Sequence, residues 1–204
     1  MRPEILGSQV IDEIINRYTI SHIDGIFCGN AVGTGGNLGR LMGLMCNLPN
    51  SVPAITVDMQ CASALMSIEI AYAHIVSGIM DSAIAGGIES SSLQPERVYA
   101  SGDDREGPYK VAQFTPQDQS PLAMLKGAER TIHKYNVTKE DLYPHIIGSH
   151  QRASAALDNP YLQSYIMPIT IDGKRCIDEC IRPTMNEKLL SRMKPLLGAD
   201  SITN

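Results

Sequence analysis

A chain of 204 residues with a formal net charge of −5 is long enough for one substantial core or two small ones, and it carries no basic stripe to suggest nucleic acid. It is rich in Met and Ile but has no Trp and two Phe, a globular composition. Five cysteines at irregular spacing make no disulfide framework, no secretory signal is seen, and no apolar stretch is long enough for a bilayer, so a reduced cytoplasm is the expected location.

Residues 3–18 read as an amphipathic helix, with Ile5, Leu6, Val10, Ile11, Ile14 and Ile15 on one broad face. A short strand at 24–29 leads into a Gly-rich turn at 33–37. That turn lacks the spacing of a phosphate cradle. A helix at 38–46 follows, Pro49 and Pro53 bracket a loop, and Ile55-Thr56-Val57-Asp58-Met59 reads as a strand. From Ala62 to Ser77 the sequence is apolar on almost every face, which predicts a helix buried on nearly all sides. A strand at 81–88 ends in Gly86-Gly87. Helices alternating with strands over the first part of the chain predict a layered α/β sheet with helices on both faces. Because the alternation opens on a helix, a first strand is expected to be missing.

Residues 90–118 are polar and without a clear period. A helix is predicted at 121–135, and another from 138 to 157, opened by Thr138-x-x-Asp141 as a capping box, with Pro144 expected to kink it or delay its start. A strand at 166–171 and a short helix near 186–193 complete a second, mainly helical unit. The domain reading is an α/β domain at 1–93, a loop domain at 94–196 and a stub at 197–204.

Cys61 stands where the strand at 54–59 turns into the apolar helix. Unpaired backbone N–H groups and the positive end of a helix favour a thiolate there, so this is where a catalytic cysteine would be placed. Cys28, Cys46, Cys176 and Cys180 are read as packing or bystander residues. Cys176-x-x-x-Cys180 has no second Cys/His pair to complete a metal site, and none is expected.

These elements carry motifs that resemble the N-terminal half of a thiolase. Val57-Asp58-Met59-Gln60-Cys61-Ala62-Ser63-Ala64-Leu65 is similar to the family's V-N/D-x-x-C-G-S-G-L, and Ala85-Gly86-Gly87-Ile88-Glu89-Ser90 to its A-G-G-M-E-S. Gly29-Asn30-Ala31-Val32-Gly33, Met124-Leu125-Lys126-Gly127-Ala128-Glu129, Ser149-His150-Gln151-Arg152-Ala153 and Asp178-Glu179-Cys180-Ile181-Arg182-Pro183 also have counterparts, in family order. Cys61-Ala62-Ser63 is nearer the C-A/S-S of β-ketoacyl synthases, but those lack the helical insertion with S-H-Q-R-A and D-E-x-x-R-P.

The resemblance implies a thiolase-like layered fold, a mixed sheet with helices on both faces, with an inserted mainly helical loop domain. It implies an acetyl-CoA C-acetyltransferase acting on CoA thioesters, with Cys61 as nucleophile and its N–H as an oxyanion donor. It places Arg182 against the adenine of CoA and Met124 along the pantetheine channel, with no cofactor beyond CoA itself. Ala123 and Leu197 depart from a histidine and a phenylalanine of the family, and Ala62 and Ala64 replace glycines. Pairing through the strand at 54–59 would make a homodimer or a higher oligomer. The family's G-H-P histidine, second cysteine and asparagine have no counterpart in these residues, so a fragment inactive alone is expected. The other readings are a non-catalytic thiolase-like protein that binds CoA or dimerises, and a β-ketoacyl synthase relative.

Overall fold

The computed structural model describes residues 1–33, 36–109, 112–113, 116, 120 and 122–198. The chain divides into two compact units, Met1–Tyr109 and Lys110–Asn204.

In the first unit, helix α1 (Pro3–Arg17) opens on Pro3, whose missing N–H costs nothing in a first turn, and carries Glu4 at its positive end and Arg17 at its negative end. Strand β1 (Gly25–Gly29) is buried at every position. Helix α2 (Leu38–Met45) is capped by the side chain of Asn37, which accepts from the N–H of Arg40 at 3.0 Å. Strand β2 (Ala54–Val57), helix α3 (Ser63–Val76) and strand β3 (Ala83–Gly87) follow.

The three strands form one sheet in the order β2-β1-β3, and both pairings are parallel. Parallel neighbours need crossovers, which α2 and α3 provide. The period-2 alternation of β1 separates its two faces. Ile26 and Cys28 join Ile11, Leu38 and Met42 in the core beneath α1 and α2, while the ring of Phe27 meets that of His74 on α3, 5.2 Å between centroids. Helices on both faces are therefore as the alternation predicts, while the mixed pairing expected of the sheet is not seen among these three strands.

The burial expected of α3 on nearly all sides is not found. Only the small residues Ser63, Ser67 and Ala71, one helical face, are buried, whereas Leu65, Ile68, Tyr72 and Val76 are exposed. Small residues let the helix lie close on the sheet. The fully buried hydroxyl of Ser67 is satisfied by donating to the carbonyl of Ser63 at 3.0 Å. The outer apolar face has no cover among the described residues.

The stretch read as aperiodic contains a small hairpin, β4 (Arg97–Val98) with β5 (Pro108–Tyr109). Two residues per strand are too few to show alternation. Stacked rings of Tyr99 and Tyr109 brace it, 4.3 Å between centroids.

In the second unit, α4 (Ala123–Lys134) precedes α5 (Lys139–Leu157), whose N-terminus is the reciprocal Thr138–Asp141 capping box. Pro144 lies within α5 and does not delay its start. A short helix α6 (Pro160–Gln163), capped by Asn159, was not expected. The expected strand at 166–171 shrinks to β6 (Thr170–Ile171), which pairs with β7 (Lys174–Arg175) across Asp172-Gly173, both at positive φ. That Asp-Gly pair is a hairpin signal the periodicity reading passes over. Helix α7 (Glu187–Leu190), capped by Asn186, is shorter than predicted and buries Leu190. Thr34 and Gly35 of the Gly-rich turn, and most of the stub at 197–204, lie outside the described residues.

Candidate functional site

The turn between β2 and α3 is built from four consecutive side-chain and backbone constraints. The carboxylate of Asp58 accepts from the N–H of Gln60 at 2.9 Å. Gln60 itself has φ 52°, a left-handed conformation that costs an L-residue roughly 1–2 kcal/mol. Residues Gln60–Ala62 then form one 3-10 turn, closed by the Ala62 N–H on the Met59 carbonyl at 3.1 Å. Ser63 staples it: its hydroxyl accepts from the Met59 N–H at 2.8 Å and donates to the Gln60 carbonyl at 2.6 Å. The bonds that close the turn come from Ala62 and Ser63, which leaves the N–H of Cys61 outside the turn's own bonding.

Cys61 is exposed on this turn, two residues before α3 begins at Ser63. It opens on a cleft of about 370 Å³ whose lining includes Gly29, Asn30, Val32, Gln60, Ser63 and Glu89. Three things meet there: the C-terminal end of β1, the C-terminal end of β3, and the N-terminal mouth of α3. Crevices at the carboxyl ends of parallel strands are where ligands of open α/β sheets bind.

Two glycines bring these ends together. A Cβ on Gly29 would lie 2.5 Å from the backbone N of Ala64, and one on Gly87 would lie 2.8 Å from the Ala64 methyl. The methyl of Ala64 therefore packs on the glycine strand ends. Ala62, at φ −94°, needs no glycine. The departures from C-G-S-G are absorbed by the fold.

Glu89 was quoted in a motif but given no role by the sequence, and neither was Asn30. The Glu89 carboxylate accepts from the N–H groups of Ala31 at 2.9 Å, Val32 at 2.8 Å and Gly33 at 3.2 Å. It also accepts from the side-chain amide of Asn30 at 2.9 Å. Desolvation works against its charge, but the N–H groups of Val32, Ala31, Gly33 and Ser90 outweigh it and hold the carboxyl below its ordinary range. A separation of 58 residues between Ala31 and Glu89 leaves no local pattern from which to find the pair.

The cleft lining holds no histidine, lysine or arginine among the described residues. Four histidines are engaged elsewhere: His22 with Asp24, His74 with the Ile70 carbonyl, His133 with Glu129 and His150 with the N–H of Arg182. Cys28 and Cys46 are buried, and burial pushes the Cys28 thiol up to about 11.

Met124 and Arg182 belong to the second unit and sit on separate elements. Met124 is in the first turn of α4 and 86% exposed. Arg182 is exposed before α7. Its guanidinium donates to the Glu179 carbonyl at 2.7 Å and its N–H to Nδ1 of His150 at 3.2 Å, which joins the S-H-Q-R-A and D-E-x-x-R-P segments. Cys176 and Cys180 are free thiols, and no His/Cys/Asp/Glu cluster suited to a metal occurs among the described residues. Nor is any helix there long and apolar enough to cross a membrane.

The family model for the thiolase N-terminal domain matches residues 1–201. A Staphylococcus epidermidis protein named "Putative acetyl-CoA C-acetyltransferase VraB" is 33% identical over 215 residues, covering 100% of this chain and 55% of its own length. Its namesake in Staphylococcus aureus MSSA476 is 31% identical over 210 residues with the same coverage. The chain thus spans about half the length of the curated relatives it matches. The crystal structure of the Bacillus anthracis acetyl-CoA acetyltransferase superposes with a TM-score of 0.79 at 23% identity, over 98% of this chain and 54% of that one, which shows the shared fold.

Proposed function

The chain belongs to the thiolase family, and from that premise we propose that it serves a thiolase-type acetyl-CoA C-acetyltransferase in which Cys61 carries the acyl group. The observation that carries this reading is the placement of Cys61, exposed on a stapled turn at the mouth of α3, with strand ends β1 and β3 forming the cleft in front of it. The thiolate attacks the carbonyl of an acyl-CoA thioester. The tetrahedral oxyanion is met by the N–H of Cys61, the CoA sulfur leaves with the proton given up by Cys61, and an S-acyl cysteine remains. A base outside this lining then takes a C2 proton from a second acetyl-CoA, the resulting carbanion attacks the S-acyl carbonyl, and the Cys61 thiolate is released. In the reverse sense Cys61 attacks the 3-keto carbonyl of a 3-ketoacyl-CoA, acetyl-CoA leaves protonated at C2, and CoA takes the acyl group from Cys61 to regenerate the thiol.

Both carboxylate oxygens of Glu89 are engaged, and no histidine lines the cleft among the described residues, so the proton must go to a group outside this lining. The 204-residue chain by itself is then expected to acylate without turning over. Arg182 and Met124 are proposed contacts for the adenine and pantetheine of CoA. Strand β2 is an edge of its sheet, which suits pairing with a second copy into a homodimer. Five unpaired cysteines suit a reduced cytoplasm.

Mass spectrometry after incubation with acetyl-CoA at mildly alkaline pH tests the reading. An acetyl group on the Cys61 peptide, absent in Cys61→Ser, is the expected result. The lack of a free base in the lining among the described residues favours one other reading, a domain that binds CoA or pairs without chemistry. Retention of CoA with no adduct on Cys61 would select it.

A further inference from the structure

We propose that Glu89 is a positioning residue for acyl transfer, holding the loop after β1 as a fixed wall of the Cys61 cleft; this rests on the acyl-enzyme reading above. Where the chain leaves β1 it presents three successive N–H groups, those of Ala31, Val32 and Gly33, beyond the last strand pairing at Gly29. Successive amides of this kind form a concavity for an anion. Here the anion is internal. Oε2 of Glu89 takes the Ala31 and Val32 N–H groups, and Oε1 takes Gly33 and the Asn30 amide.

Asn30 ties the arrangement to the chain just beyond β3, since the same amide nitrogen donates to the Ile88 carbonyl at 2.7 Å. On the other side the guanidinium of Arg97, from β4, donates to the Val32 carbonyl. The loop is thereby held through its amides and through a carbonyl. Asn30, Ala31, Val32 and Glu89 all line the cleft that Cys61 shares. A thioester must be held in a near-attack geometry for the thiolate to reach it, and a loose wall forfeits that advantage.

The bonding also separates this role from acid/base catalysis. With four donors on its two oxygens, Glu89 has no lone pair directed at a substrate proton that is not already in use. A glutamine of the same shape would turn an NH₂ group toward two N–H donors and open the clamp on one side.

The test compares the full chain with Glu89→Gln and Glu89→Ala by three measurements. Acylation of Cys61 by acetyl-CoA should fall on the order of 10–100-fold in both variants. The pH profile of the remaining rate should keep the wild-type shape, and formate should restore part of the rate in Glu89→Ala by filling the concavity. Alkylation of Cys61 by iodoacetamide, which needs an accessible thiolate but no bound and oriented thioester, should stay at the wild-type rate. Hydrogen exchange should lose protection at residues 31–33 while α3 stays protected. Wild-type acylation in Glu89→Gln, a changed pH profile, or an alkylation rate that falls in step with acylation would each overturn the assignment. If the wild-type chain takes no acyl group, the acyl-enzyme reading fails on that result alone. The clamp is then still judged by exchange at 31–33, where unchanged protection in the variants overturns it.

Discussion

Gly29 and Ala64 meet backbone to backbone: a side chain on Gly29 would place its Cβ 2.5 Å from the Ala64 nitrogen and 2.5 Å from the Ser63 carbonyl carbon. Neither partner is a flexible side-chain end that could swing away, so α3 itself must move. Gly29→Ala should therefore destabilise the chain by about 1–3 kcal/mol, and Gly87→Ala, facing the Ala64 methyl and the Gly29 carbonyl, should do likewise. Gly86, one residue away with open space around its Cβ position, is the internal control. Denaturant midpoints should order wild type and Gly86→Ala together, above the other two.

The five thiols should separate into two classes under a native alkylation experiment. Cys61, Cys176 and Cys180 are exposed and should label in the folded chain, whereas Cys28 and Cys46 should label only on unfolding. Burial raises the Cys28 thiol from 9.0 to about 11. A raised folded value means that the protonated thiol stabilises the native state fully below pH 9.0, and that this contribution is lost as pH rises toward about 11. Cys28→Ala should flatten that alkaline loss of stability, measured as melting temperature against pH.

Asp24 makes the opposite case. The Asp81 N–H, then the His22 side chain and the Ser82 N–H, hold its carboxyl below the ordinary value of 3.8. A depressed value stabilises the native state above pH 3.8, and the contribution is lost as pH falls through the lower folded value. Asp24→Asn should lower the melting temperature at neutral pH, and its difference from wild type should shrink under acid. A difference that stays constant down to the acid limit would show that the charge of Asp24 contributes nothing.

The alternation of helix and strand was legible because α1 and α2 each have a period set by the face they bury, because β1 is a short apolar run, and because Thr138 and Asp141 cap α5 within four residues of sequence. The position of Cys61 at a strand-to-helix turn was legible for the same local reason. What escaped was non-local or very short. Glu89 reaches the loop at 31–33 across the sheet, the β4 and β5 strands are two residues each, and the left-handed Gln60 carries no glycine to announce it. The apolar character of α3 was read correctly as composition and wrongly as burial. Periodicity cannot say whether the surface that would cover a helix lies in the same stretch of chain.

That uncovered face yields the last expectation. Leu65, Ile68, Tyr72 and Val76 recur at helical spacing and form one stripe along α3, with Leu65 67% and Tyr72 68% exposed. A contiguous apolar stripe in water binds hydrophobic dyes and other molecules of the same kind. Leu65→Glu combined with Tyr72→Glu should reduce dye binding and the concentration dependence of sedimentation. Each replaced side chain is already largely in solvent, so the unfolding midpoint should move little, within about 0.5 kcal/mol per site. Association that persists undiminished in the double variant would shift the adhesive surface from α3 to the edge strand β2, whose outer side is unpaired among the described residues.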